Sequence, residues 1–295
     1  MQDRDEDNSQ TDAASPSSSE AAHEITASAE SPLRMDGSPP PSGLPPTPPR
    51  DPLWSGWDVL LLSLVFLGSG LVIFPSIILL VAKFWLFPHL PLVEIAKKPV
   101  LALLAEFLSW TTVALSMAAL VKGKYGAKFW PSVRWNWPSR AWRFLLFGVG
   151  TTFVLSLLER VLPMPKNAPF EQFFAHPLDA YLTSIFAITV GPLMEELLFR
   201  GFVYPVLART TGAGWGILLT ALPFGLLHAP QLGYAWGAVF AIVFVGIVLT
   251  SVRAVTGSVA ASVLVHIGYN GTLMLFTAIQ TDGFRHMEKA AVLAF

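Results

Sequence analysis

The sequence of 295 residues contains no cysteine, and only 13% of its residues are charged. Without cysteine there is no disulfide, no cysteine-ligated zinc site and no thiol nucleophile. The charged fraction is about half of the roughly 25% that is usual in soluble domains, whereas 53% of the residues are hydrophobic. The composition therefore predicts an integral membrane protein.

The first 50 residues differ in composition from the rest of the chain. They hold nine acidic residues against three arginines, and they are rich in serine and proline. Such a segment cannot bury enough apolar surface to offset the conformational entropy that folding would cost. We therefore predict a disordered tail over residues 1–52.

Seven apolar segments follow the tail, and each is long enough to cross a bilayer, although the fifth is near the lower limit. The predicted spans are 58–82, 100–121, 142–162, 180–207, 214–229, 234–252 and 258–280. The predicted fold is all-α, a polytopic bundle of about seven transmembrane helices. We expect N-terminal transmembrane helices over 53–162, an interfacial loop over 163–179, a membrane core over 180–280 and a C-terminal tail over 281–295.

One loop carries most of the information on orientation. The connection from Lys122 to Arg143 holds six basic residues and no acidic one, and the positive-inside rule places such a loop in the cytoplasm. Seven alternating passes then put the N-terminus in the cytoplasm and the C-terminus outside. The first loop, with Lys83, Lys97 and Lys98, fits this orientation less well because it would lie outside.

Few ionisable residues lie within the predicted spans, and three of them are close together in the fourth: Glu195, Glu196 and Arg200. A charged side chain near the bilayer centre costs about 2.5–3.5 kcal/mol on insertion scales, so such residues generally have a function. Pro192 also removes one helical hydrogen bond just before the two glutamates. We interpret this segment as part of a catalytic site.

Polar residues on two other spans complete the predicted site. His228 is on the fifth span and His266 is on the seventh, where Asn270 lies one turn later on the same face. The estimated depths of these residues in the bilayer allow them to meet Glu195 in a cavity between the fourth, fifth and seventh spans. Glu106, alone in the second span, is predicted either to bond a neighbouring helix or to line a substrate cavity.

The residue types suit hydrolysis of a peptide bond, which needs a base for water, a donor for the oxyanion and an acid for the leaving amine. Glu195 is the candidate base. Glu196 and Arg200 are one turn apart and are expected to pair in a supporting role. Glu195, His228 and His266 also make a plausible three-ligand site for a divalent metal, with zinc as the first expectation. Asn270 would then bind the oxyanion.

Three motifs occur in order along the chain: Glu195-Glu196-x-x-x-Arg200, Phe224-x-x-x-His228 and His266-x-x-x-Asn270. Together they resemble the signature of the CPBP family, intramembrane proteases related to CAAX prenyl endopeptidases, over about residues 180–280. The family also includes proteins linked to bacteriocin processing or immunity.

The resemblance implies an endopeptidase in which Glu195 and His228 activate water, while His266 and Asn270 bind the oxyanion or a metal. A zinc mechanism and a metal-free glutamate mechanism both stay open, and the chain has no His-Glu-x-x-His motif.

The predicted partners are the lipid bilayer and a peptide or protein substrate with a membrane-associated segment, and no nucleic acid is expected. By analogy with the family, we expect the bacterial cytoplasmic membrane. Two alternatives are kept. A proton- or cation-coupled transporter would also use membrane-embedded glutamate and histidine, and a non-catalytic bacteriocin-immunity or adaptor protein would not depend on Glu195.

Overall fold

The computed structural model describes residues 51–164 and 168–292, with side chains up to residue 289. The predicted disordered tail therefore lies outside the described residues except for Asp51 and Pro52. These two residues contact the membrane domain, because the Asp51 carboxylate pairs with Arg134 and the Pro52 carbonyl accepts a hydrogen bond from Arg209.

Seven apolar helices follow in the order of the seven predicted spans. They are α1 Gly56–Leu86, α2 Pro99–Lys124, α3 Ala141–Glu159, α4 Pro177–Thr211, α5 Ala213–Leu227, α6 Trp236–Thr256 and α7 Val259–Gln280. Short helical turns at Leu92–Ala96, Phe129–Ser132, Pro169–Phe174 and Met287–Val292 lie between or after them. Six of the seven helices are long and apolar enough to cross a membrane, and α5 is shorter, with 15 residues. The described residues contain no strand, so the predicted all-α membrane bundle is confirmed.

The helices differ in how much of their surface is buried by protein. In the most apolar 18-residue window of α1 only 6% of residues are buried, whereas the figure is 50% for both α6 and α7. Apolar side chains that face outward are stable in lipid, whereas their exposure to water would be unfavourable. The α6 and α7 helices therefore form the centre of the bundle, and α1 lies at its edge.

Glycines allow the central helices to approach closely. A Cβ atom at Gly148 of α3 would lie 2.1 Å from the Val265 carbonyl oxygen of α7, and one at Gly268 of α7 would lie 2.3 Å from the Leu145 carbonyl oxygen. Small residues at such contacts bring backbones together, which is a common way of packing helices in membranes. This packing fixes the position of α7, which carries His266.

The α4 helix is irregular on both sides of the glutamate pair. It is interrupted at Thr189, one turn before Pro192, and it is π-helical over Leu197–Val203 before it continues as Tyr204–Thr211. Pro192 has no N–H to donate to the Ile188 carbonyl, which accounts for the interruption. Short π-helical segments occur frequently at functional sites, and this one begins directly after Glu196.

The segment before α1 packs on the end of α4. The buried Trp54 ring stacks on Phe202 with ring centroids 4.2 Å apart, and its Nε1–H donates to the Phe202 carbonyl at 3.0 Å. Arg209 donates to the Trp54 carbonyl at 3.2 Å. At the start of α1 the buried Asp58 carboxylate accepts hydrogen bonds from Lys124 and Tyr125 at the end of α2. These contacts hold the beginning of α1 against α2 and α4.

Candidate active site

A buried network surrounds the second glutamate of the pair. Glu196 Oε1 accepts a hydrogen bond from Arg200 Nη1 at 2.8 Å and lies 2.9 Å from His266 Nδ1. Glu196 and Arg200 are completely buried, and His266 is almost so. The pairing of Glu196 with Arg200 is therefore present, and it is joined by His266, which connects α4 directly to α7.

Arg200 is also bound by α6, a helix that carries none of the three sequence motifs. Its Nη2 donates to the Gly246 carbonyl at 3.0 Å and its Nε donates to Thr250 Oγ1 at 3.2 Å. The guanidinium lies over the Phe224 ring, 4.4 Å from its centroid. Arg200 thus connects α4, α5 and α6 next to the two glutamates. Its contacts hold these helices in place around the site.

The Glu195 side chain leaves the helix in a different direction from that of Glu196, as expected for adjacent helical residues. Glu195 keeps 18% of its side-chain surface exposed, and its Oε2 lies 3.9 Å from His266 Nε2. His266 therefore stands between the two carboxylates, with one ring nitrogen toward each. The structure brings the motif residues of α4 and α7 together around this imidazole.

His228 directly follows the last residue of α5, Leu227. Its Nδ1 lies 2.7 Å from the Phe224 carbonyl oxygen. A carbonyl only accepts, so Nδ1 carries the hydrogen and Nε2 of the neutral ring is left as an acceptor. Phe224 thus orients His228 through its backbone, besides packing its ring against Arg200.

A cavity of about 380 Å³ opens in front of Glu195 and His228. Polar side chains from Glu106, Ser109 and Gln231 also line it, and most of the remaining wall is apolar and comes from α1 and α2. The cavity therefore differs from the one predicted between the fourth, fifth and seventh spans. It lies between α1 and α2 on one side and α4 and α5 on the other, because α7 is packed behind Glu195.

Asn270 lies on α7 next to the interruption in α4. Its Nδ2 donates to the Ala187 carbonyl at 2.7 Å, two residues before Thr189, where the regular helix is interrupted. Neither Asn270 nor His266 lines the cavity.

The residues expected to hold a metal do not come together as a closed three-ligand site. Within residues 51–164 and 168–292, no group of three or more His, Asp or Glu side chains is placed to hold a metal ion. Of the predicted ligands Glu195, His228 and His266, only Glu195 and His266 form a close pair. The divalent metal stays a prediction.

Several residues of the site had no clear sequence signal. Thr250 is one threonine in an apolar helix, and the Gly246 carbonyl is a backbone group that no motif marks. Ser109 and Trp110 on the cavity wall also look like ordinary membrane residues in the sequence. The buried charge of Arg200 was the one available signal, since a buried guanidinium requires several acceptors.

Comparison with protein families gives a match over part of the chain. The model described as "Type II CAAX prenyl endopeptidase Rce1-like" matches residues 177–272. Neither the curated proteins nor the solved structures that were compared give a match. The matched region begins with α4 and ends within α7, so it contains all three motifs and leaves α1 and α2 outside. The resemblance noted from the motifs is therefore confirmed: over residues 177–272, this membrane protein is similar to the Rce1-like type II CAAX prenyl endopeptidases, a family of proteases.

Proposed function

We propose that this protein is an intramembrane endopeptidase that cleaves substrates with a membrane-associated segment, using water activated by Glu195 and His228. The observation that carries the proposal is that these two side chains face the same largely apolar cavity within a helical membrane bundle. A cavity of this kind admits a peptide while limiting the number of water molecules, which strengthens electrostatic interactions during the reaction.

Glu195 is the general base in this proposal. Glu196 is occupied by Arg200 and His266, so Glu195 is the carboxylate left to face the cavity. It removes a proton from water as the oxygen attacks the peptide carbonyl. The same proton then passes to the nitrogen of the leaving amine as the C–N bond breaks, which regenerates the carboxylate.

His228 holds the attacking water. Its Nδ1–H is used on the Phe224 carbonyl, so its Nε2 accepts a hydrogen bond from water in the cavity. Water held between Nε2 and the Glu195 carboxylate has its own lone pair directed away from both acceptors. This arrangement orients the water for attack and accounts for a histidine at this place.

His266 and Asn270 are proposed to stabilise the oxyanion. Asn270 uses one amide hydrogen on the Ala187 carbonyl, and its second hydrogen is available for the developing charge. The Nδ1 of His266 faces Glu196, so its Nε2 is the nitrogen proposed to face the oxyanion. Neither group lines the cavity, so this role requires a rearrangement around Glu195 when the peptide binds.

The proposal also specifies the membrane that the protein occupies and the orientation of the chain in it. The CPBP resemblance favours the bacterial cytoplasmic membrane, and the basic connection between α2 and α3 favours a cytoplasmic N-terminus. The natural absence of cysteine allows a direct test. In intact cells, a membrane-impermeant maleimide should label Gln172→Cys in the α3–α4 connection and should not label Ser139→Cys. The reverse labelling would overturn this orientation.

The activity is tested with the full chain in lipid nanodiscs and a fluorescent peptide that ends in a farnesylated CAAX sequence, together with an unlipidated peptide library. We expect wild-type cleavage and a loss of about 10²–10⁴-fold in kcat for Glu195→Ala, which removes the base. Glu94→Gln is the matched control, because Glu94 is an exposed carboxylate paired with Lys97 outside the cavity. Equal rates for wild type and Glu195→Ala, or no cleavage with or without added zinc, would contradict the proposal.

The same preparations separate the two alternative functions. A transporter predicts proton or cation flux in proteoliposomes that is lost in Glu195→Gln, without any peptide cleavage. An immunity or adaptor protein predicts that Glu195→Gln keeps its protective or binding activity in cells. Cleavage that depends on Glu195 excludes both as the main activity.

A further inference from the structure

Arg253 is a buried cation in the last turn of α6 that the proposed reaction does not use. Only 6% of its surface is exposed, and its Nε is buried without a hydrogen-bond partner. No hydrogen bond or salt bridge joins its guanidinium to another residue within the described ranges 51–164 and 168–292. A guanidinium carries five N–H donors, and their burial is costly without acceptors. Arg253 therefore needs a partner that this part of the chain does not supply.

Arg200 shows how the same bundle satisfies a buried guanidinium. It donates to a carboxylate, to a hydroxyl and to a backbone carbonyl. Arg253 has instead the ring of Tyr204 on α4, whose centroid lies 5.9 Å from the guanidinium carbon, close to the limit of a cation–π contact. The C-terminal end of α6 favours a positive charge, but no carbonyl there accepts a hydrogen bond from Arg253. These contacts leave the donors of Arg253 open.

A second arginine lies beside Arg253. Arg134, in the connection between α2 and α3, is near enough for the two charges to repel. The Arg134 carbonyl accepts a hydrogen bond from the Val259 N–H at 3.1 Å, which fixes the connection against the start of α7. The Asp51 carboxylate pairs with Arg134 and also attracts Arg253. Two positive charges thus share one negative charge, so one positive charge is left over.

The Tyr204 hydroxyl adds a neutral donor to this pair of arginines. Tyr204 is buried, and its hydroxyl is close enough to Arg253 for the two groups to interact electrostatically. The hydroxyl makes no hydrogen bond to a residue in the described part of the chain. Guanidinium and hydroxyl donors with an excess of positive charge are the groups that bind phosphate oxygens. The α2–α3 connection, α4 and α6 together bring such donors to one place.

We propose that Arg253, Arg134 and Tyr204 bind a phosphate group at this end of the bundle. Arg253 lies three residues before the last residue of α6, which is roughly 5 Å from the helix end. Membrane helices end at the level of the lipid headgroups, so phosphate is the anion that the bilayer itself supplies there. An anionic phospholipid and free inorganic phosphate share this chemistry. The inference goes beyond the proposed endopeptidase function and does not depend on it.

The test measures thermal unfolding of the delipidated full chain in a maltoside detergent and a phosphate-free buffer. The ligands are dioctanoyl phosphatidylglycerol, dioctanoylglycerol with the same chains and no phosphate, and inorganic phosphate against sodium chloride at equal ionic strength. We expect phosphatidylglycerol at a hundredfold excess over its Kd to raise the unfolding midpoint by about 5–10 °C. Dioctanoylglycerol should leave the midpoint within about 1 °C, because it cannot pair with the guanidiniums.

Four variants assign the binding to these side chains. Arg253→Gln removes the charge and keeps a polar side chain, so we expect the apparent Kd for phosphatidylglycerol to rise at least about tenfold. Arg134→Gln and Tyr204→Phe, which each remove one donor, should raise it by about threefold or more. Arg140→Gln is the matched control, because Arg140 is an exposed arginine of the same basic connection. Its loss should change the apparent Kd by less than about twofold.

The three ligands also separate the two sources of phosphate. A midpoint raised by phosphatidylglycerol alone supports a phospholipid site, and one raised by inorganic phosphate supports a site for the free ion. Equal effects of phosphatidylglycerol and dioctanoylglycerol, or no effect of either phosphate ligand, would overturn the inference.

The variants give a second way to overturn it. An unchanged Kd in Arg253→Gln would do so, and so would a loss in Arg140→Gln as large as that in Arg253→Gln. If Arg253→Gln does not fold, Arg134→Gln and Tyr204→Phe decide the question, and a wild-type Kd in both would exclude the site. None of these measurements uses peptide cleavage, so a failure of the endopeptidase proposal leaves this test intact.

Discussion

Replacing Arg200 by methionine tests whether the buried network supports the site. The side chain donates hydrogen bonds to Glu196 at 2.8 Å, to Gly246 at 3.0 Å and to Thr250 at 3.2 Å. Arg200→Met keeps much of the buried volume and leaves the Glu196 carboxylate buried without its cation. Breaking a buried pair in this way costs about 3–5 kcal/mol.

The expected loss of unfolding free energy can be measured as a fall in the midpoint temperature of unfolding. For a domain of about 150–250 residues, each kcal/mol shifts the unfolding midpoint by about 2–4 °C. Arg200→Met should therefore unfold about 6–20 °C below wild type. The measurement is thermal unfolding of the solubilised protein, followed by intrinsic tryptophan fluorescence.

Two further variants make the reasoning refutable. The double variant Glu196→Gln/Arg200→Met removes both charges, and its amide oxygen can still accept from His266, so it should recover at least about 2 kcal/mol of the loss. Arg285→Met is the control, because the exposed pair of Arg285 with Asp282 contributes only about 0–1 kcal/mol. A midpoint for Arg200→Met within about 2 °C of wild type, or a double variant as unstable as the single one, would refute the argument.

Three other changes have expected outcomes. Gly148→Ala should cost about 1–3 kcal/mol by forcing α3 and α7 apart, whereas Gly150→Ala, with open space around it, should have little effect on the unfolding midpoint. Trp54→Phe keeps the ring stack and loses one hydrogen bond, so it should lower the free energy of unfolding by about 0.5–1.5 kcal/mol. Trp57 is exposed, so the control variant Trp57→Phe should leave the free energy of unfolding unchanged. If the predicted zinc is present, elemental analysis of purified protein should find about one zinc ion per chain, reduced in His228→Ala. A zinc content near zero with full peptidase activity would contradict the metal prediction.

The sequence predicted the membrane helices and the motif residues for a clear physical reason. Apolar runs long enough to cross lipid are distinctive, and charges such as Glu195 and Arg200 stand out within them because their burial is costly. The ends of the helices were predicted less accurately than the helices themselves. The fifth span was predicted to include His228, and α5 ends one residue before it, since an apolar run does not show where helical hydrogen bonds stop.

The cavity was placed incorrectly from the sequence because its walls carry little signal. The α1 helix has apolar residues on all sides, and a leucine that faces lipid looks the same in the sequence as one that faces a cavity. The bond from Asn270 to the Ala187 carbonyl was equally hidden, because it depends on the interruption at Thr189. Polar side chains that bind backbone atoms leave no spacing pattern by which to recognise their partners.

The contact of Trp54 with Phe202 has a consequence for the order of assembly in the membrane. The two residues are 148 positions apart, so at about 5–20 residues per second Trp54 is made roughly 7–30 s before its partner. During that interval α1 is in the bilayer without the end of α4 against which it packs. The wall of the cavity that α1 provides is therefore completed only after the helix that carries Glu195 and Glu196 has been synthesised.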